Sequence, residues 1–223
     1  MNIRTYLVSS LFFSSLPLAG AQVFSPDGSF PPTGAKEVEL HKLFGGLSHG
    51  TEFVINSLTL DDMTGSARLR PGFSGEVVTS GHAHLDISAA GTPEFLDGDF
   101  SQDLQVDYLS TDATGLDTYN IQVRKFKVGC GPTVVITLSP DQAGTGIVTV
   151  GEWSKGGAFT QSPSGFAVTS SFDVFTGVSL DGGLNYGATN GPATFQLQGV
   201  PEPASLSALG FAAIGLLKRK RVR

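Results

Sequence analysis

Thr118 to Val128 reads TYNIQVRKFKV. Tyr119, Ile121 and Val123 recur at every second position, with Gln122 and Arg124 between them, which is the period of a strand with one buried face. Continuing the alternation puts Lys125 with the first set and Phe126 with the second. No helical face collects these apolar residues.

The same texture extends in both directions. Downstream, Thr133–Leu138 is a continuous apolar run suited to a buried strand, Ile147–Trp153 follows the turn residues 139–146, and Phe166–Leu180 is long enough for one bent strand or two. Asp181-Gly182-Gly183 closes a hairpin onto a weak strand near Tyr186, and Ala193–Gln198 is the last strand. Upstream lie Lys36–Leu40, Thr51–Leu60, Ser66–Arg70, Glu76–Ser88 and Leu104–Leu109. The glycine at 81 predicts a bulge that shifts the face of its strand. About nine to eleven short strands without an amphipathic helix predict an all-β domain. The expected architecture over 36–199 is an antiparallel β-sandwich, jelly-roll-like. Residues 22–35, with Pro26, Asp27-Gly28 and Pro31-Pro32, read as an extended, loosely ordered lead-in.

The two ends have a different composition. Arg4 followed by apolar residues 7–18 and by Ala19-Gly20-Ala21 before Gln22 predicts a helical signal peptide over 1–21, cleaved after Ala21. At the other end Val200-Pro201-Glu202-Pro203 is followed by uncharged residues 204–217 and then by Lys218, Arg219, Lys220, Arg221 and Arg223. These fourteen uncharged residues make a helix of about 21 Å, short for a bilayer core of about 30 Å, and the basic cluster can extend it by snorkelling. The cations favour the cytoplasmic side and leave the rest of the chain outside.

That order of motif, short apolar helix and basic end resembles the PEP-CTERM sorting signal of exported bacterial proteins. The resemblance covers residues 200–223, about a tenth of the chain, and says nothing direct about the remainder. It implies recognition by an exosortase, a membrane transpeptidase, after export through the Sec translocon and processing by signal peptidase. It also implies transient anchoring in the inner membrane and an end point in the cell envelope or outside it. Proteins of this kind accompany exopolysaccharide production and biofilm, so the resemblance implies a non-enzymatic structural or adhesive role, with extracellular polysaccharide as a partner.

The chain has 14 basic and 20 acidic residues; setting aside Arg4, the five basic tail residues and Glu202 leaves 8 and 19, or about −11. Such a body repels nucleic acid and anionic lipid and attracts cations. The single cysteine, Cys130, excludes an intramolecular disulfide and reads as a small apolar filler.

Three local features can carry chemistry. His82 and His84 share one face of a strand and can reach one metal ion, with Asp86 continuing that face; His41, His49 and Glu76 are the third ligands suggested by type. The bland alternative is an exposed strand face that happens to carry two imidazoles. Asp97, Asp99 and Asp103 are spaced around what reads as a tight turn, which calcium can use or which is simply a solvated acidic turn. Ser179 to Tyr186 is similar to an Asp-box turn, with Tyr186 in place of Trp, and reads as a hairpin in which Asp181 bonds backbone amides. Trp153, Tyr108, Tyr119 and Tyr186 can stack on sugar rings or belong to the core. No phosphate loop or nucleophile elbow is present. Two further functions therefore stand beside the structural one: a carbohydrate- or calcium-binding module, and a metal-dependent enzyme using His82 and His84.

Overall fold

The computed structural model describes residues 22–40, 44–140, 142, 144–152 and 165–199. The expected helices over 1–21 and 204–217, the sorting motif with its basic cluster, His41 and Trp153 lie outside these residues.

Fifteen strands follow one another: β1 (Val23–Ser25), β2 (Ser29–Phe30), β3 (Ala35–Glu39), β4 (Phe44–Ser48), β5 (Thr51–Thr64), β6 (Ala67–Arg68), β7 (Ser74–Ala89) and β8 (Thr92–Thr111) form the first half. The second half holds β9 (Asp117–Cys130), β10 (Val134–Leu138), β11 (Gly144–Glu152), β12 (Phe166–Val174), β13 (Thr176–Ser179), β14 (Gly187–Ala188) and β15 (Ala193–Gly199). No helix occurs among the described residues.

The strands form a closed barrel, which corrects the expected jelly-roll sandwich. β3, β5, β7, β8, β9, β11, β12 and β15 each pair antiparallel with the next, and β15 returns to β3 with Phe195 opposite Glu39. Every stave is therefore hydrogen-bonded to its neighbours in chain order, an up-and-down meander closed on itself. β5, β7, β8 and β9 run past the end of this ring. There β4 extends β3 along β5, β10 extends β11 along β9, and β13 and β14 extend β12 and β15. A bridge between Gly46 and Thr189 closes that end too. Alternation is the same for a sandwich and a barrel, because both bury one face of each strand; closure depends on the pairing of the first and last staves, which no local pattern encodes.

Several local expectations change with it. Asp97 to Asp103 is the middle of the 20-residue β8, with no turn. A bulge does fall at Gly81, but on the opposite strand, where Asp61 pairs with His82 and Thr64 with Ser80; the face of β7 is unchanged, since Val77, Thr79, Ala83, Leu85 and Ile87 are buried in one phase and Val78 is exposed. Gly81 is instead a point of close approach, since a Cβ there would lie 2.3 Å from Asp61 O. In β9 the alternation holds through Val123 and slips at a bulge, where Leu104 faces Val123 and Asp103 faces Lys125. Arg124 is the extra residue, so Phe126, Val128 and Cys130 turn inward and Lys125 outward.

An eight-stranded barrel has an interior just wide enough for side chains to fill, or to hold one small ligand. Here large side chains occupy it. Phe195 of β15 lies 5.6 Å from Phe172 on the neighbouring β12 and 5.3 Å from Phe126 on β9, two staves further round. Gln102 of β8 reaches across the lumen to Glu37 of β3, donating from Nε2 to Oε2 at 3.0 Å. The lead-in is part of the barrel as well: β1 pairs with β12, and Phe30 is wholly buried.

Candidate functional site: the outer wall of the barrel

With the lumen filled, the groups available to a partner stand on the outside. Along β7 the residues that alternate with the buried set are Ser80, His82, His84 and Asp86, and on β8 they face Ser101, Asp99, Asp97 and Phe95 in turn. On the other side β5 sets Asp61 opposite His82 and Thr59 opposite His84. The two histidines thus share a face, as their spacing predicts, and lie in a carboxylate ladder contributed by three staves.

The ladder pairs each ring separately. His82 Nδ1 is 3.2 Å from Asp99 Oδ1, with side chains 60% and 86% exposed. His84 Nδ1 is 2.6 Å from Asp97 Oδ1, and its Nε2 is 3.3 Å from Asp61 Oδ2. The Asp97 carboxylate, helped by Asp61, raises the His84 pKa against the opposing effect of desolvation, because both favour the imidazolium. Asp86 accepts from Asn56 Nδ2 at 2.9 Å. Beside His84 the wall dips into a shallow depression of about 260 Å³, lined by Ser57, Thr59, Asp86, Asp97 and Phe95. Phe95 is 81% exposed. An aromatic ring beside hydroxyls, carboxylates and an imidazole offers a stacking platform and hydrogen-bonding groups to a polyhydroxylated ligand.

Other anticipated residues are scattered. Asp103 is bound to Lys125 Nζ at 2.6 Å, away from Asp97 and Asp99, so the three do not form a calcium turn. His49 lies in the turn between β4 and β5, and Glu76 pairs with Gln105 lower on the wall, so neither joins the histidine pair. Among the described residues no three His, Cys, Asp or Glu side chains are grouped to hold a metal ion. Tyr119 is buried, and Tyr108 packs edge-on against it at 5.7 Å. Tyr186 is 48% exposed but stands by β14. Cys130 is buried, and desolvation pushes its thiol up to about 11, consistent with a filler.

Asp181 behaves as its motif predicts. It accepts from Leu184 N at 3.1 Å, Asn185 N at 2.9 Å and Asn185 Nδ2 at 2.6 Å, while Ser179 Oγ donates to it at 2.7 Å. Asn185 and Ser179 hold its carboxyl well below the usual range. These bonds are all internal to the turn, whose glycines 182 and 183 have positive φ.

Phe95 and Asp61 are members of the wall that the sequence did not point to. Phe95 is two residues before Asp97 and four before Asp99, so reading that stretch as a strand places it on their face. Asp61 is recognisable only once the β5–β7 register is known.

Fold and wall together define a class: a closed up-and-down barrel with large side chains in its lumen and a histidine–carboxylate ladder on its outer wall. Compared with protein-family models, curated proteins and solved structures, the chain matches none of them significantly.

Proposed function

We propose that this is an exported, non-catalytic barrel that serves as a structural or adhesive component of the cell surface or of the extracellular polysaccharide matrix. The observation that carries the reading is the terminal combination of Val200-Pro201-Glu202-Pro203, apolar residues 204–217 and five cations. The barrel is compatible with that task, since a filled lumen makes a rigid body whose contacts are made from its wall. The ordered partners are the Sec translocon, signal peptidase, the membrane through the apolar tail, and an exosortase. The mass of the mature protein from host cells with and without their exosortase tests this. Release of a species lacking both ends only when the enzyme is present supports sorting. An identical full-tail species in both strains removes the matrix role's main support.

A second reading, a carbohydrate-binding wall, is favoured by Phe95 standing exposed beside the His84 depression. It is compatible with the first, because adhesion to a polysaccharide needs such a surface. The metal-enzyme reading has less to draw on: each imidazole is matched to a carboxylate on an open wall.

A further inference from the structure

Inside the barrel one polar contact is left half made. Glu37 on β3 and Gln102 on β8 are both fully buried, and their staves stand apart around the ring with β5 and β7 between them. The bond from Gln102 Nε2 to Glu37 Oε2 uses one atom of each group. Glu37 Oε1 and Gln102 Oε1 are buried without a hydrogen-bond partner. An ionised carboxylate cannot remedy this, because both orphaned atoms are acceptors. One proton on Glu37 Oε1 remedies both. A carboxylic acid and a primary amide are self-complementary, each presenting a donor and an acceptor side by side.

We propose that Glu37 is a neutral carboxylic acid in the folded barrel, donating from Oε1 to Gln102 Oε1 while accepting from Gln102 Nε2, and that this acid–amide pair is a pH-sensitive latch across the lumen. Ionisation opens it by removing one of its two hydrogen bonds and leaving a charge in the core.

Among the described residues the surroundings offer that charge no cation. On β3 the other inward carboxyl is Glu39, which accepts from Thr194 N at 3.4 Å. β5 contributes Leu58 and Leu60, β7 Thr79, β12 Ser170, and β15 Phe195 and Leu197. On β9 the Tyr119 hydroxyl donates to Asp117 at 3.4 Å, and on β8 Asp103 is engaged by Lys125. No lysine, arginine or histidine is buried among the described residues. Burial accordingly outweighs the Gln102 hydrogen bond and pushes the Glu37 pKa from 4.5 up to about 7. Between those values the folded chain keeps a proton that the unfolded chain releases. Stability is therefore highest below the lower value, falls as pH rises through the window, and levels off above the upper one.

The test is a carbon-13 NMR titration of Glu37 Cδ in the full chain, with urea unfolding from about pH 5 to about pH 9 for the natural protein and Glu37→Gln. The expected Cδ shift is that of a protonated acid at the acidic end, changing near neutrality. The unfolding constant of the natural protein rises up to about tenfold per pH unit inside the window, and Glu37→Gln removes that component because an amide–amide pair keeps both bonds and cannot ionise. A Cδ already ionised at about pH 5 overturns the latch, as does a pH slope that survives unchanged in Glu37→Gln. Should that variant not fold, the Cδ titration decides alone.

Discussion

His84 Nδ1 stands 2.6 Å from Asp97 Oδ1 across the pairing of β7 with β8. The pair is held in register by a ladder that runs unbroken from Ser74 to Ala89, so the contact follows from the fold. Because the carboxylate favours the imidazolium, His84 should titrate above the ordinary histidine value of about 6.5, and Asp97→Asn should lower it. A raised histidine pKa contributes stability that is complete below the unfolded value and is lost as pH rises through the folded one. Half the ring is exposed, so the contribution is small. Proton NMR of the His84 ring in both proteins measures it; a pKa unmoved by Asp97→Asn would refute the pairing.

Removing the exposed ring separates recognition from folding. Phe95 is 81% exposed, so Phe95→Ala should change stability by no more than about 0.5 kcal/mol. If the wall binds polysaccharide, the same variant should lose most of its retardation in gels containing the host's matrix polysaccharide, with a Val78→Ala control unaffected. Equal retardation of both variants would remove the carbohydrate reading from this depression.

What was legible in the sequence was whatever a single strand can express. The alternation at Tyr119, Ile121 and Val123 is the observed buried face, and the spacing of His82 and His84 is their observed common side. The bulge that turns Phe126 inward depends on Asp103 and Leu104 of another stave, so β9 alone could not reveal it. Asp97 to Asp103 looked like a turn because Asp and Gly usually mark one. Here Gly98 is required by a neighbouring backbone, Asp97 and Asp99 are the solvent face of a long strand, and Asp103 is buried against Lys125. Barrel closure joins Phe195 to Glu39, two residues from opposite ends of the domain.

Two glycines where β8 pairs with β9 should answer very differently to one methyl group. A Cβ on Gly98 would lie 1.9 Å from Gly129 O, whereas a Cβ on Gly129 meets nothing within 4 Å. Gly98→Ala must push two paired strands apart and should lower stability by about 1–3 kcal/mol or more. Gly129→Ala, which also has less entropy to lose on folding, should be neutral or slightly stabilising. Urea midpoints of the pair provide the comparison. Similar losses in both would mean that β8 and β9 do not approach as closely as their register implies.

Closure of the barrel can be tested at Phe195, which lies on the last stave and touches rings from two others. Phe195→Ala empties the space between Phe126 and Phe172 and should cost about 3–5 kcal/mol, the range for a buried aromatic truncated to alanine. Phe126 stands three staves round the ring from Phe195, with β12 and β11 between them, so their coupling reports contact through the lumen and not along one pair of strands. A double-mutant cycle of Phe126→Leu and Phe195→Leu should give an interaction of about 0.5–1.5 kcal/mol, since the leucines retain apolar volume but lose the ring contact. In an open sandwich with β9 and β15 apart, the two substitutions would act independently. Strict additivity in stable, folded variants would therefore count against the closed, filled barrel itself.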